Sequence, residues 1–378
     1  MRHANANLIG QPGSRAKLYT PALLIECQVF ERNIRRAIER SAAGGLKLRP
    51  HAKSHKSIEV ARRLMAAGAV GQCCATLGEA EVLVEGGVSG VHITSPVVTP
   101  IKIRRLVELN RTASGLMVVV DHPANVEALA LATRGEAKPL QVVVDVDPGV
   151  KRTGVVKLAD GLALAHAVAA APGLKFTGVQ CYAGTVQHVH DLAERRRQSF
   201  AALAEVATLL DQLRAAGLAP AIVTGGGTGT AGIDGSAGVL TEVQAGSFLF
   251  MDTEYTSVLA RDGNEPPYEV SLFVQAAVVS CNHQGFVTVD AGSKSFGTDQ
   301  GPATPASGAP AGSRYEFFGD EHGKLIFPDG AKASLTVGDR VEFITPHCDT
   351  TVNLYDAYHV VDGDTLVAIW PIEARGRH

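Results

Sequence analysis

The chain has 378 residues, of which 46% are hydrophobic and 19% charged, with a formal net charge of −3. That length and balance describe a globular enzyme with one large and one smaller domain, and argue against a disordered or fibrous chain. With no dense basic run and one Trp, nucleic acid is not an expected partner; with no apolar run of spanning length and no signal-peptide core in residues 1–17, neither is a membrane, and the expected compartment is cytoplasmic.

In chain order, residues 1–17 are polar and expected to be loose. Residues 20–26 read as a short strand, and a helix over 29–41 follows from the spacing of Phe30, Ile34 and Ile38. A rhythm then sets in, with β-branched-rich runs at 48–53, 71–76, 90–95, 116–121, 140–147, 176–182, 221–224 and 242–250. Helical patterns fill the intervals at 58–67, 78–85, 101–109, 124–132, 158–171 and 192–216. Eight strands alternating with helices over about 200 residues predict an α/β fold, a (β/α)8 TIM barrel; an open doubly wound sheet is the competing architecture. The Gly-rich stretch 229–240 predicts an irregular eighth unit. After Tyr255 the texture changes to alternating apolar stretches at 269–279, 286–290, 314–318, 340–345, 358–361 and 365–370, which predict a second, mostly β domain at the C-terminus. Residues 297–313, rich in Gly, Pro, Ala, Ser and Thr, read as a loop. The expected division is 18–258 for the barrel and 259–378 for the β domain, with 1–17 packed on the latter. The six cysteines form no metal-ligand spacing, and Cys73–Cys74 read as buried thiols in a reducing compartment.

The chemistry concentrates in Lys47-Leu-Arg-Pro-His-Ala-Lys-Ser-His-Lys56. On a strand, Arg49, His51 and Lys53 share one face. Ser54 is placed to cap a helix starting near Lys56, and Lys56 is expected to face solvent. A lysine at the C-terminal end of a barrel strand can bond a carbonyl cofactor; a solvated basic turn is the plain alternative. Barrels commonly hold phosphate after strands seven and eight. There, Gly225-Gly-Gly-Thr-Gly229 offers close backbone approach and the Thr228 hydroxyl. Arg152, after the fifth strand, suits a cofactor phenolate or ring nitrogen, or is a surface residue. His188 and His190 follow Tyr182 at the end of strand six. Either suits a general base, or else a helix cap, and His188 is favoured. In the β domain, His347 and Asp349 stand at i and i+2, on one face of a strand, with Cys348 pointing away. Imidazole plus carboxylate suits Mn²⁺, Mg²⁺, Co²⁺ or Zn²⁺ in a site left open to substrate. His322 is a candidate neighbour.

Taken together, these segments resemble the fold-type III, alanine-racemase-like pyridoxal phosphate enzymes, and within them the D-threonine aldolase group. The resemblance rests on Arg49–Lys56, Arg152-Thr-Gly154, Tyr182 with Val186-Gln-His188, Gly225–Gly229, Gln244-Ala-Gly-Ser247 with Met251-Asp252, Asp290-Ala-Gly292, Asp320–Gly323 and Pro346-His-Cys-Asp349, in order along nearly the whole chain. It implies pyridoxal 5'-phosphate on Lys53, with cofactor contacts at His51, Arg152, Tyr182, Thr224, Gly226, Gly227, Thr228, Gly246 and Ser247. It also implies a divalent metal at His347 and Asp349, Mn²⁺ or Mg²⁺ before Zn²⁺ or Co²⁺, and His188 as acid/base on the substrate β-hydroxyl. The implied substrate is a small D-3-hydroxy amino acid and the implied assembly a homodimer, with the metal site built across subunits. Dehydratases of D-serine and D-3-hydroxyaspartate share the fold but resemble a His-x-Cys pattern at the metal; Asp349 favours the aldolase side. The run Cys73-Cys-Ala-Thr-Leu-Gly-Glu79 departs from the aldolase pattern and leaves substrate preference open. A non-catalytic cofactor carrier is the alternative of another class, and the β domain argues against it.

Overall fold

The computed structural model describes residues 3–260, 266–328 and 335–378. Strand β1 (Ala22–Glu26) leads into helix α1 (Cys27–Ala43), and the expected alternation follows. Its strands are β2 (Lys47–Leu48), β3 (Gln72–Cys74), β4 (Val91–Ile93), β5 (Met117–Val120), β6 (Leu140–Val146), β7 (Leu174–Cys181), β8 (Ile222–Gly225) and β9 (Glu242–Val243). Between them run α2 (Ile58–Ala67), α3 (Leu77–Glu85), α4 (Pro100–Thr112), α5 (Pro123–Ala132), α6 (Leu158–Ala170), α7 (Leu192–Ala215) and the short α8 (Ala231–Asp234), the irregular eighth unit. The strands pair in parallel in the order β2-β9-β8-β7-β6-β5-β4-β3. The amides of Val70 and Cys73 donate to the carbonyls of Leu48 and Pro50, and His51 bridges Cys73, so β3 returns to β2 and the sheet closes into a barrel. Closure rules out the open doubly wound sheet. Helices cover the outside and side chains fill the inside, which is why β5 and β6 read as nearly unbroken valine runs.

The first and last barrel strands are much shorter than their sequence runs. The first stays extended through His51, whose amide reaches Ala245 O, and then turns into a 3-10 segment at Ala52–Ser54. The last breaks at Gly246, where a Cβ would come within 2.8 Å of His51 O. The two strand ends therefore press together where Lys53 emerges.

Arg49 is not a site residue. It is buried in the barrel, where Nε and Nη2 donate to the Glu242 carboxylate at 2.7 Å each and Nη1 reaches Val70 O and Gly90 O. A Cβ on Gly71 would lie 2.1 Å from this guanidinium, so the residue beside it must be glycine.

After α9 (Thr253–Leu259), the second sheet is built from β10 (Leu272–Ser280), β11 (Phe286–Val289), β12 (Thr304–Ser307), β13 (Arg314–Phe317), β14 (Gly323–Ile326), β15 (Arg340–Ile344), β16 (Ala357–Asp362) and β17 (Thr365–Pro371), with β1 as its ninth strand. Strand β1 pairs antiparallel with β10 and parallel with β16, so the opening strand belongs to this sheet and not to the barrel. Residues 297–313 are not wholly loop, because β12 pairs there with β15. Residues 1 and 2 lie outside the described residues, and 3–17 are held rather than loose: Arg15 bonds Glu342 and Glu26, and the Gly10 amide bonds Leu366 O. Between β15 and β16, helix α10 (Cys348–Val352) lies over the barrel mouth.

Removing one partner of the Arg49–Glu242 pair strands a buried charge. Arg49→Met should cost about 3–5 kcal/mol in urea unfolding, while Arg49→Met with Glu242→Leu should recover much of that loss.

Candidate active site

The Lys53 turn is set by its neighbours. His51 caps the 3-10 segment, its Nδ1 accepting from the Lys53 amide at 3.3 Å. That leaves Nε2–H to donate to Thr94 Oγ1 at 3.2 Å, and the Thr94 hydroxyl passes the chain to Cys74 O. Burial, helped by the Lys53 charge, keeps the His51 pKa well below its ordinary value, so this ring is neutral. Ser54 caps no helix; its hydroxyl donates to His51 O, and α2 begins only at Ile58, whose amide bonds Glu373. Lys56 does not face solvent. It is buried at a left-handed φ of 51°, and donates to Glu79 Oε1 at 2.7 Å, while Glu79 Oε2 accepts the Ala75 amide. The motif thus holds one lysine that lines a cavity and one buried in an ion pair.

Lys53 opens into a cavity at the C-terminal ends of the strands. His51, Arg152, Tyr182, Gly227, Thr228, Gly246 and Ser247 line it with Lys53. Thr224 and Gly226 lie behind that wall: Thr224 Oγ1 accepts from Gln244, and Gly226 turns the chain at φ +66° against Asp234. The amides of Thr228 and Ser247 meet no protein acceptor among the described residues, which suits a phosphate. The Arg152 guanidinium stacks 5.5 Å from the Tyr182 ring. Lysine, anion cradle and arginine on one cavity fit pyridoxal phosphate.

Two glutamines and a tyrosine in this wall carried no individual signal in the sequence. Gln180 Nε2 donates to Asp145 Oδ1 and Thr94 O, which fixes its amide. Its carbonyl then accepts from His92 Nε2 and Gln244 Nε2. Tyr255 closes the far side, with the His188 ring 5.6 Å away. His188 itself stands at the rim, half exposed, its Nδ1 3.3 Å from Glu254 Oε1. His190 lines a separate surface hollow beside α7.

His347 and Asp349 do not share a strand. The chain leaves β15 and turns into α10, with His347 as its N-cap. Asp252 drives the turn: its buried carboxylate accepts the amide of Cys348 at 3.0 Å and that of Tyr255 at 2.9 Å, joining α10 to α9. Asp349 Oδ2 then lies 3.0 Å from Lys53 Nζ and 3.9 Å from His347 Nε2. Burial alone would raise the Asp349 pKa; the Lys53 and His347 charges reverse this and hold it at about 2. The same attraction raises Lys53 above its usual range. Lysine and His-x-Asp pair come from one and the same chain. His322 sits in the turn between β13 and β14, and nothing joins it to the pair among the described residues. One imidazole nitrogen beside one hard carboxylate oxygen fits a divalent cation with open positions.

A barrel lysine in an anion-cradling cavity, capped by a helix from a β domain, defines the alanine-racemase-like class of enzymes, a family that implies pyridoxal phosphate. The chain belongs to that family: the description "Alanine racemase, N-terminal domain" matches residues 25–254, and a serine dehydratase domain matches 271–361. It is 39% identical to a D-threonine aldolase of an Arthrobacter species, over 97% of this chain and 95% of that one. It is 35% identical to a 3-hydroxy-D-aspartate aldolase of Paracoccus denitrificans over the same shares. The crystal structure of D-threonine aldolase from Filomicrobium marinum matches with a TM-score of 0.90 at 38% identity, covering 96% of each chain. Among the described residues no helix is long and apolar enough to cross a membrane.

The buried network also sets a pH response. Burial and the Arg49 charge lower the His92 pKa from 6.5 to about 3. Between those values the unfolded chain holds a proton that the folded chain does not. His92 therefore contributes stability that is present above pH 6.5 and lost as pH falls toward 3, by up to about 1.4 kcal/mol per pH unit. In urea titrations from pH 7 to 4, His92→Gln should show a shallower loss than wild type.

Proposed function

We propose that this chain cleaves D-3-hydroxy amino acids to glycine and an aldehyde, with pyridoxal phosphate on Lys53 and a divalent cation, Mn²⁺ or Mg²⁺ before Zn²⁺ or Co²⁺, at His347 and Asp349. The observation that carries the reading is the 3.0 Å approach of Asp349 to Lys53: the cation-type pair faces the cofactor lysine rather than a remote surface. The two aldolase relatives and the aldolase structure support the same reaction. In this reading residues 18–258 hold the cofactor and 259–378 bring the cation, with β1 lent to the second sheet. The assembly is a cytoplasmic homodimer.

When bound, the cofactor supplies an electron sink for negative charge left on the substrate Cα. The amides of Thr228 and Ser247 would hold its phosphate, and Arg152 would serve its ring oxygen. His188, with Nδ1 turned to Glu254, offers Nε2 to take the β-hydroxyl proton as the Cα–Cβ bond opens. A cation on His347 and Asp349 would orient that hydroxyl and lower its pKa. Tyr255 and Ala75 form part of the cavity wall. The serine dehydratase match over 271–361 supports a second reading, elimination of water to a 2-oxo acid and ammonia; the carboxylate of Asp349 in place of a thiolate favours the first.

Product analysis on D-threonine, D-phenylserine and D-3-hydroxyaspartate separates the two. Glycine plus aldehyde is expected, and 2-oxo acid plus ammonia without glycine sinks the aldolase reading. Lys53→Ala should lose the visible cofactor absorbance and at least about 10³-fold in kcat; an absorbance that persists there and vanishes in Lys56→Ala would reassign the lysine. Chelation should stop cleavage with the cofactor retained, and Mn²⁺ should restore it in wild type but not in Asp349→Ala. Full cleavage by metal-free enzyme would defeat the metal assignment.

A further inference from the structure

The loop ahead of β12 carries an acidic residue that the motifs did not single out. Asp299 Oδ2 lies 2.6 Å from His347 Nδ1, and Asp299 Oδ1 accepts the Thr350 hydroxyl at 2.8 Å. The loop is fitted to α10: the Gly297 amide donates to Thr351 Oγ1 at 2.9 Å, and a Cβ on Gly297 would stand 1.9 Å from Thr350 Oγ1. A side chain at 297 would push the loop off the helix. Glycine there lets Asp299 reach the ring.

We propose that Asp299 is a positioning residue for the cation pair, an inference that rests on the metal reading above. A carboxylate accepting from Nδ1–H fixes the tautomer with its lone pair on Nε2 and makes that nitrogen a stronger donor. Nε2 is the atom that faces Asp349 Oδ2. Without Asp299 the ring is free to flip or to take the other tautomer, and the two donor atoms no longer converge on one ion. The contact is too exposed to add much stability, with the Asp299 side chain 43% accessible, so its effect is directional. Thr350 holds the second carboxylate oxygen and so fixes the angle at which Asp299 meets the imidazole.

The test is Mn²⁺ binding to chelated holoenzyme, followed by the electron paramagnetic resonance signal of the free ion, with cofactor absorbance and melting temperature as controls. Asp299→Ala should weaken Mn²⁺ binding about 10- to 100-fold with both controls unchanged. Asp299→Asn, which keeps an acceptor oxygen but not the charge, should lose less. Thr350→Ala should lose a few-fold, and gives a second reading should Asp299→Ala fail to fold. Wild-type affinity in both Asp299→Ala and Thr350→Ala overturns the inference and leaves the metal reading standing. A wild type that binds no Mn²⁺, Mg²⁺, Co²⁺ or Zn²⁺ overturns the metal reading itself. Loss of cofactor together with metal in Asp299→Ala assigns Asp299 a merely structural role and overturns the proposal.

Discussion

The buried carboxylate of Asp252 is the constraint on which the site depends. It stands where the chain leaves the barrel, and accepts one amide from α9 and one from α10. A carboxylate taken out of water is costly unless its oxygens are satisfied. Here the satisfying donors come from two different domains, so the pairing also docks those domains. Burial raises the Asp252 pKa, and the two amides work against that rise. Because Cys348 is held, its neighbours His347 and Asp349 cannot drift from the barrel mouth, and the Lys53–Asp349 contact follows.

Around that joint the molecule divides its polar groups by task. The Arg49–Glu242 pair and the Lys56–Glu79 pair are fully buried and make no contact with the cavity interior. They hold the turns that frame it. The chain from Asp145 through Gln180 to Gln244 fixes the floor. His51 is kept neutral by burial and locks the turn that presents Lys53. The Thr228 and Ser247 amides, on residues that line the cavity, meet no protein acceptor among the described residues and remain available where a ligand would need them.

On the proposed metal reading, placing the cation ligands on a separate domain has a chemical consequence. The barrel alone supplies Lys53, the Thr228 and Ser247 amides and Arg152. The β domain adds a hard oxygen and an imidazole beside Lys53. Aldol cleavage and water elimination differ in what becomes of the substrate β-hydroxyl. It is therefore reasonable that the domain bearing residue 349 bears the distinction, and not the barrel.

Periodicity determined much of this from sequence alone. Eight β-branched runs separated by helical patterns gave the barrel, because a strand buried on both faces leaves an apolar run and a covering helix leaves a 3.6-residue stripe. Motif order then brought Lys53, Arg152, Gly227, Thr228, Ser247, His347 and Asp349 into view. Three things needed the tertiary structure. Lys53 and Lys56 sit in one basic run, and only the buried Glu79 shows which is structural. His347 and Asp349 were expected on a strand, but the amide of Cys348 is drawn by a carboxylate 96 positions away, and the backbone turns helical. Asp299 lies in a segment without periodicity, so its relation to His347 is a matter of 2.6 Å in space and of nothing in sequence. Local patterns encode which face of an element is buried; they carry no record of which distant polar group a buried one will find.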